Sequence, residues 1–243
     1  MEKFEQTAKL SYFDVDALNQ IKLSVLIDLL LKVSSYQLDT MGVGTNDLAT
    51  ENLGWVVTQY HMEIKRLPRL DEEIILGTQP TGYNRFFCYR DFWVKTQEGE
   101  SLITVSSTWI VLDLLKREIH ENTSEFGAKM AVPEVKRGPR LPRIRLPKFD
   151  DSGVEYRVRY YDIDANRHVN NSHYFEWMID VLPQDLVLHA QIKCIDIKFD
   201  QEIRYGDSPR SLVKVEEQEE LKSYHLIQNG TGKAAEAIFT WKK

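Results

Sequence analysis

An internal repeat constrains this chain more than any other feature. The stretch from Tyr12 to Ser24 (YFDVDALNQIKLS) aligns without a gap on the stretch from Tyr160 to Ser172 (YYDIDANRHVNNS). The tyrosine, both aspartates, the alanine and the serine are identical, and Phe13/Tyr161, Val15/Ile163 and Ile21/Val169 are conservative pairs. Each copy runs into a helix-like stretch and then into a series of strand-like runs, so the similarity extends past the matched loop. A chain of 243 residues has room for two units of ordinary domain size. The repeat divides it into a unit over 1–130, a connector over 131–150 and a second unit over 151–243.

Periodicity fills in the units. In the first, a helix is predicted from about Leu23 to Leu38, with Ser24, Asp28 and Lys32 at i, i+4 and i+8 as one narrow polar stripe. A helix apolar around most of its circumference is one that other structure must wrap. Runs rich in β-branched and aromatic residues follow at 54–66, 73–79, 85–96 and 102–113 and read as strands. The second unit repeats the pattern with a helix over 172–182, ended by Pro183, and strands at 190–204, 211–217, 222–229 and 233–241. One buried helix with antiparallel strands, twice over, predicts an α+β protein.

Between the units, residues 117–150 read as a linker that carries Pro133, Pro139, Pro142 and Pro147 and the cations Lys136, Arg137, Arg140, Arg143, Arg145 and Lys148. It is expected to be an extended, solvated connector, and in an acidic protein it also offers a basic strip to an acidic partner. The net charge of −6 and pI near 5.6 give no general basic field, which argues against a nucleic-acid partner.

Two cysteines, Cys88 and Cys194, with no Cys/His cluster in the sequence argue against a disulfide framework or a zinc site. No metal or cofactor is expected. The apolar run around Val25–Val33 is broken by Asp28 and Lys32 and is too short to span a bilayer. The start Met1-Glu-Lys-Phe-Glu5 lacks the pattern of a signal peptide. A cytoplasmic protein without membrane insertion is the expectation.

Differences between the copies point to chemistry. Asp14 and Asp16 match Asp162 and Asp164, which favours a shared structural role, whereas Asn166 and His168 stand where the first copy has Leu18 and Gln20. Only the second unit has a proton-transfer group at this position. In an extended segment Asp164, Asn166 and His168 would share one face, just ahead of a helix whose N-terminal amides can hold an oxyanion. Asp196, Asp200 and Glu202 lie on the polar side of the run 192–203, and the first-copy stretch Arg66-Leu67-Pro68 has no carboxylate at the place of Glu202.

An isolated histidine is more often structural than functional. Asn166 two residues away, and the absence of both from the sister copy, single out His168. His61, His120, His173, His189 and His225 have no such setting. Cys194 is remote in sequence from Glu202, Cys88 belongs to the other copy, and no G-x-S-x-G elbow exists. Water activated by a general base is therefore the simplest hydrolytic scheme.

The segment Asp164-Ala-Asn166-Arg-His168-Val-Asn-Asn171, followed by Tyr174 and Trp177, resembles the D-x-N-x-H-V-N-N signature of the acyl-acyl carrier protein thioesterases of plants and bacteria. Asn52-Leu-Gly-Trp55-Val-Val-Thr58 and Thr104-Val-Ser-Ser-Thr-Trp109 are also similar to that family, so both halves are covered. The resemblance implies a tandem double hotdog, each unit a long helix wrapped by an antiparallel sheet. It implies hydrolysis of the fatty acyl thioester of acyl carrier protein to free fatty acid.

By the same resemblance Asp164, Asn166, His168 and Glu202 occupy catalytic positions. The acyl pocket falls in the first unit, where Leu26, Leu30 and Trp55 are the expected walls. Ile203 stands where plant enzymes carry a cysteine, which argues against a cysteine route and leaves Glu202, assisted by His168, as the expected base. The implied partner is acyl carrier protein bearing an acyl chain, and a homodimer stays open. Two rival readings are a hotdog dehydratase of hydroxyacyl thioesters and a non-catalytic acyl-binding module.

Overall fold

The computed structural model describes residues 3–150 and 153–243, so Met1, Glu2 and the expected unit boundary at 151 lie outside the described residues. The first unit contains β1 (Phe4–Lys9), α1 (Leu23–Thr40), α2 (Thr45–Thr50), β2 (Leu53–Ile64), β3 (Glu73–Tyr83), β4 (Cys88–Thr96), β5 (Ser101–Asp113), β6 (Glu118–Ile119) and α3 (Ser124–Lys129). The second contains β7 (Val154–Glu155), α4 (Asn171–Asp180), α5 (Gln184–His189), β8 (Gln191–Phe199), β9 (Arg210–Glu217), β10 (Leu221–Asn229) and β11 (Gly232–Lys242). No helix among the described residues is long and apolar enough to cross a membrane.

Apolar patterning explains the layering. Leu23, Leu26, Ile27, Leu30 and Val33 of α1 are buried, while Asp28 and Lys32 of its polar stripe are exposed. The strands form one 11-stranded sheet, and outward from the central pair the two halves repeat the same order, β2-β5-β4-β3-β1 and β8-β11-β10-β9-β7, with β6 on β5. All the strand pairings are antiparallel. Helix α1 packs on β3 and β1, α4 packs on β9 and β10, and the two helices pack on each other. The main core cluster, from Leu10 to Trp241, runs through both units. This is the α+β, helix-in-sheet pair that the repeat predicts.

Strand β8 ends at Phe199, short of the predicted Arg204. The polar run Asp200-Gln201-Glu202 leaves the ladder there: the amides of Asp200 and Gln201 both donate to the Ala234 carbonyl, at 2.8 and 3.2 Å. Glu202 therefore sits on an irregular segment beyond the strand. Strand β1 and the short helices α2, α3 and α5 have no counterpart in the sequence reading. They are brief elements whose patterns span too few residues for a period to show.

Backbone contacts define which residues are equivalent. The Ile21 amide donates to the Pro68 carbonyl at 2.9 Å, and the Val169 amide donates to the Ile203 carbonyl at 2.8 Å. Leu67 is thus the counterpart of Glu202. Val57 opposes Trp109 as Ile192 opposes Trp241, which pairs those two indoles as equivalents. At the seam β2 pairs with β8, and His61 stands opposite Asp196. The same correspondence carries His61 onto Asp196, so the pseudo-two-fold axis passes between them. His61 Nδ1 lies 2.7 Å from Asp196 Oδ1, and the two groups hold the halves together across the axis.

The connector is seated on the first unit. Tyr83 exchanges backbone hydrogen bonds with it, donating to Pro133 at 3.2 Å and accepting from Val135 at 2.8 Å, and Gln59 Nε2 donates to the Pro142 carbonyl at 3.0 Å. Gly138 lies against the Tyr89 ring so closely that a Cβ would stand 1.9 Å from Cζ. Lys136, Arg137, Arg140, Arg143, Arg145 and Lys148 all remain exposed.

Candidate active site

The loop that bears Asn166 and His168 is a tight turn, not the extended segment expected. Asp164 Oδ1 accepts from the amides of Asn166 at 2.8 Å and His168 at 3.3 Å, and the Asp164 amide donates to the His168 carbonyl at 2.8 Å. Arg167 takes a left-handed φ of 68° to close it. The first unit builds the same turn without the chemistry: Asp16 Oδ1 accepts from Leu18 and Gln20 at 2.8 and 3.0 Å, and Asn19 has φ 57°. The carboxylate therefore shapes the turn in both copies, because a side-chain acceptor at the first position satisfies amides two and four residues on.

The turn aims His168 at Glu202. His168 Nε2 lies 2.9 Å from Glu202 Oε2, and both side chains are largely shielded, at 19% and 25% exposure. The first unit contributes a third group, Arg117, from the tight turn between β5 and β6, whose Nη2 donates to the same Oε2. Arg204 stands 3.8 Å away. The His168 contact first, and then Arg117, hold the Glu202 carboxyl down to about 2 against the opposing effect of burial. Glu202 is thus a firmly held anion. The Asn166 amide group makes no side-chain hydrogen bond among the described residues.

Asn170 caps α4, with Oδ1 accepting from the Ser172 amide at 3.3 Å and its carbonyl accepting from the His173 amide at 3.0 Å. The Asn171 N–H, at the first helical position, is left without a partner among the described residues. It is a free donor at the positive end of the helix.

Asp164, Asn166, His168, Asn171 and Glu202 all line one cavity of about 590 Å³. The rest of its wall comes largely from the first unit, and it includes Trp55, whose indole donates to the Val43 carbonyl at 2.9 Å. Leu26 and Leu30, the other expected walls, do not reach it. They are 0% and 2% exposed in the central core, and α1 turns Leu31, Ser34, Ser35 and Leu38 to the cavity instead.

Arg90 also lines the cavity, donating from Nη1 to Gln37 Oε1 at 2.6 Å and Thr78 Oγ1 at 2.9 Å, and burial lowers it to about 10. Cys88 is a further wall residue whose thiol burial pushes up to about 12, which removes it as a thiolate nucleophile.

Arg117 and Arg90 escaped the sequence reading. One sits in a turn far along the chain from Glu202, and the other in a strand of mixed polarity, so neither has a local signature. One group of metal-ligand types exists among the described residues: His61, Cys194 and Asp196, whose ligand atoms lie within 4.8 Å of one another. They sit at the seam and none lines the cavity.

Two helix-in-sheet units fused in one chain, with the His168–Glu202 pair in the second where the first has Gln20 and Leu67, define a tandem hotdog protein. Acyl-ACP thioesterase family models match residues 1–130 (N-terminal domain) and 147–243 (C-terminal domain). The chain belongs to the acyl-ACP thioesterase family. It is 26% identical over 231 residues to oleoyl-acyl carrier protein thioesterase 2, chloroplastic, of Arabidopsis thaliana, covering 86% of this chain and 62% of that one. With dodecanoyl-[acyl-carrier-protein] hydrolase, chloroplastic, of Umbellularia californica it shares 25% identity over 220 residues, 83% of this chain and 56% of that one. The chain thus spans little more than half the length of these plant relatives.

Among solved structures, one from Lactobacillus plantarum, assigned as an oleoyl thioesterase, superposes with a TM-score of 0.96 at 32% identity over 100% of this chain and 96% of that one. The Umbellularia californica 12:0-ACP thioesterase matches in fold, with a TM-score of 0.85 at 19% identity over 99% of this chain and 97% of that one.

Proposed function

We propose that the protein hydrolyses the thioester joining a fatty acyl chain to acyl carrier protein. The observation that carries this reading is the Glu202–His168 pair in the wall of a cavity built mostly by the other unit. A proton-transfer pair beside a slot of this size suits an apolar chain ending in an activated carbonyl.

Glu202 accepts the Nε2–H of His168, an assignment made from the contact. Nδ1 then stays free to take a proton from water. A carboxyl held near 2 is a weak base, so Glu202 orients and charge-stabilises the imidazole while His168 deprotonates the water, reversing the order of roles expected from the family resemblance. The water oxygen bonds to the thioester carbon. The oxyanion is held by the Asn171 N–H and the Asn166 amide. Collapse breaks the carbon–sulfur bond, and His168 returns its proton to the leaving sulfur. The products are a fatty acid and the carrier thiol. Asp164 acts through the turn alone.

The exposed cations from Lys136 to Lys148 suit an acidic carrier, and the strip runs over Tyr89, a cavity residue. Thiol release from acyl carrier thioesters, followed with a thiol-reactive dye, tests the reading. A dehydratase releases no thiol, and a binding module turns nothing over. His168→Ala and Glu202→Ala each cost at least about 10²-fold in kcat. Folded variants with undiminished turnover would overturn the assignment.

A further inference from the structure

A second cavity, of about 580 Å³, lies at the position related to the first by the pseudo-two-fold axis. Leu18, Gln20 and Leu67 line it in the places of Asn166, His168 and Glu202, and Trp241 in the place of Trp109. Helix α4 supplies the wall that α1 supplies in the first. The three equivalent positions hold apolar or neutral groups, yet the space is nearly as large. Open volume lined by apolar groups forfeits dispersion contacts that a filled core would make. Its retention calls for an occupant.

The charge around this cavity specifies one end of that occupant. Its acids are already engaged: Asp16 with the amides of Leu18 and Gln20, Asp180 with the Tyr156 hydroxyl at 2.6 Å, and Glu176 with His173 at 2.8 Å. Lys22 Nζ donates to the Phe13 carbonyl at 3.0 Å and acts electrostatically on Asp14, and Arg159 pairs with Asp162. Arg157 is the lining cation that is exposed and makes no ion pair among the described residues.

We propose that the second cavity is a non-catalytic binding site for a free long-chain fatty acid. The alkyl chain lies against Trp177, Ile179 and Trp241, and the carboxylate meets Arg157. The choice of ligand rests on the thioesterase reading, since the fatty acid is that reaction's product, but the site itself rests on the cavity and its charge.

Tryptophan quenching by ω-bromododecanoate tests it, because Trp55 and Trp109 line the first cavity, Trp177 and Trp241 the second, and Trp93 neither. The wild-type chain binds two equivalents, and a Trp55→Phe/Trp109→Phe chain is still quenched. Arg157→Glu weakens one equivalent by about tenfold through loss of a charge-assisted contact, with thioester hydrolysis unchanged. Ala190→Phe, which fills the second cavity, abolishes that equivalent. A single equivalent in the wild type, two equivalents indifferent to both substitutions, or a dimer that shields Trp177 and Trp241 would each overturn the site. Two equivalents bound by a chain that releases no thiol would strike the thioesterase reading and leave the site standing.

Discussion

Glu202→Gln separates the two things a carboxylate can do beside an imidazole. Glutamine keeps an oxygen to accept the His168 Nε2–H and loses only the charge. The Glu202 carboxyl falls from an ordinary 4.5 to about 2, which at full value is about 3.4 kcal/mol of preference for the anion. Glu202 is 25% exposed and Arg117 44%, so solvent screening leaves roughly 2 kcal/mol. His168 is the leading cause of the shift, so the glutamine variant forfeits most of that stabilisation of the charged imidazole in the transition state. The expected result is a kcat about 10- to 30-fold lower with KM within about twofold, measured by thiol release at neutral pH.

A loss beyond about 10³-fold in a folded variant would mean that the carboxylate itself takes the water's proton, and the division of roles above would be wrong. Unchanged kcat would remove the pair from the reaction altogether. Stability gives an independent check. A depressed carboxyl contributes stability that is complete above pH 4.5 and is lost as pH falls from there through about 2. The gap in melting temperature between wild type and variant should close over that window.

Other consequences are equally open to measurement. Asp196, and then Cys194, push His61 from 6.5 up to about 10, so the seam pair contributes stability that is complete below pH 6.5 and is lost as pH rises through about 10. Asp196→Asn should lower the melting temperature by about 1–3 °C at pH 6, and a deficit that grows with pH would contradict this. Leu30→Ala should cost about 2–5 kcal/mol in urea unfolding and leave the acyl-length profile unchanged, whereas Trp55→Ala should alter that profile. A profile shift in Leu30→Ala at full stability would return Leu30 to the cavity wall. Arg140→Glu/Arg143→Glu should raise KM for the carrier-bound substrate more than for the coenzyme A thioester, and equal effects would discard the docking strip.

Much of this molecule can be read from its letters, and the failures have physical causes. The repeat exposes the two units, and the exchange of Asn166 and His168 for Leu18 and Gln20 exposes which unit carries the pair. The period-two argument for the loop that bears Asn166 and His168 misses because Asp164 bonds amides ahead of it and Arg167 adopts a positive φ, neither of which hydropathy registers. Leu26 and Leu30 are misplaced for a related reason. A helix apolar nearly all round gives no sign of which apolar face meets core and which meets a cavity, and only tertiary packing decides. Arg117 is hidden most deeply, because its partner lies 85 residues away and the contact exists only once the two halves have joined.

That join has a further consequence. In a homodimer any residue on the symmetry axis must confront its own copy, so an imidazole could only meet an imidazole and an acid only an acid. Covalent linkage releases the chain from that rule, and His61 and Asp196 use the freedom to set opposite charges face to face. The halves have thereby become complementary instead of interchangeable: pairing two first halves or two second halves would bring like groups together at the centre of the sheet.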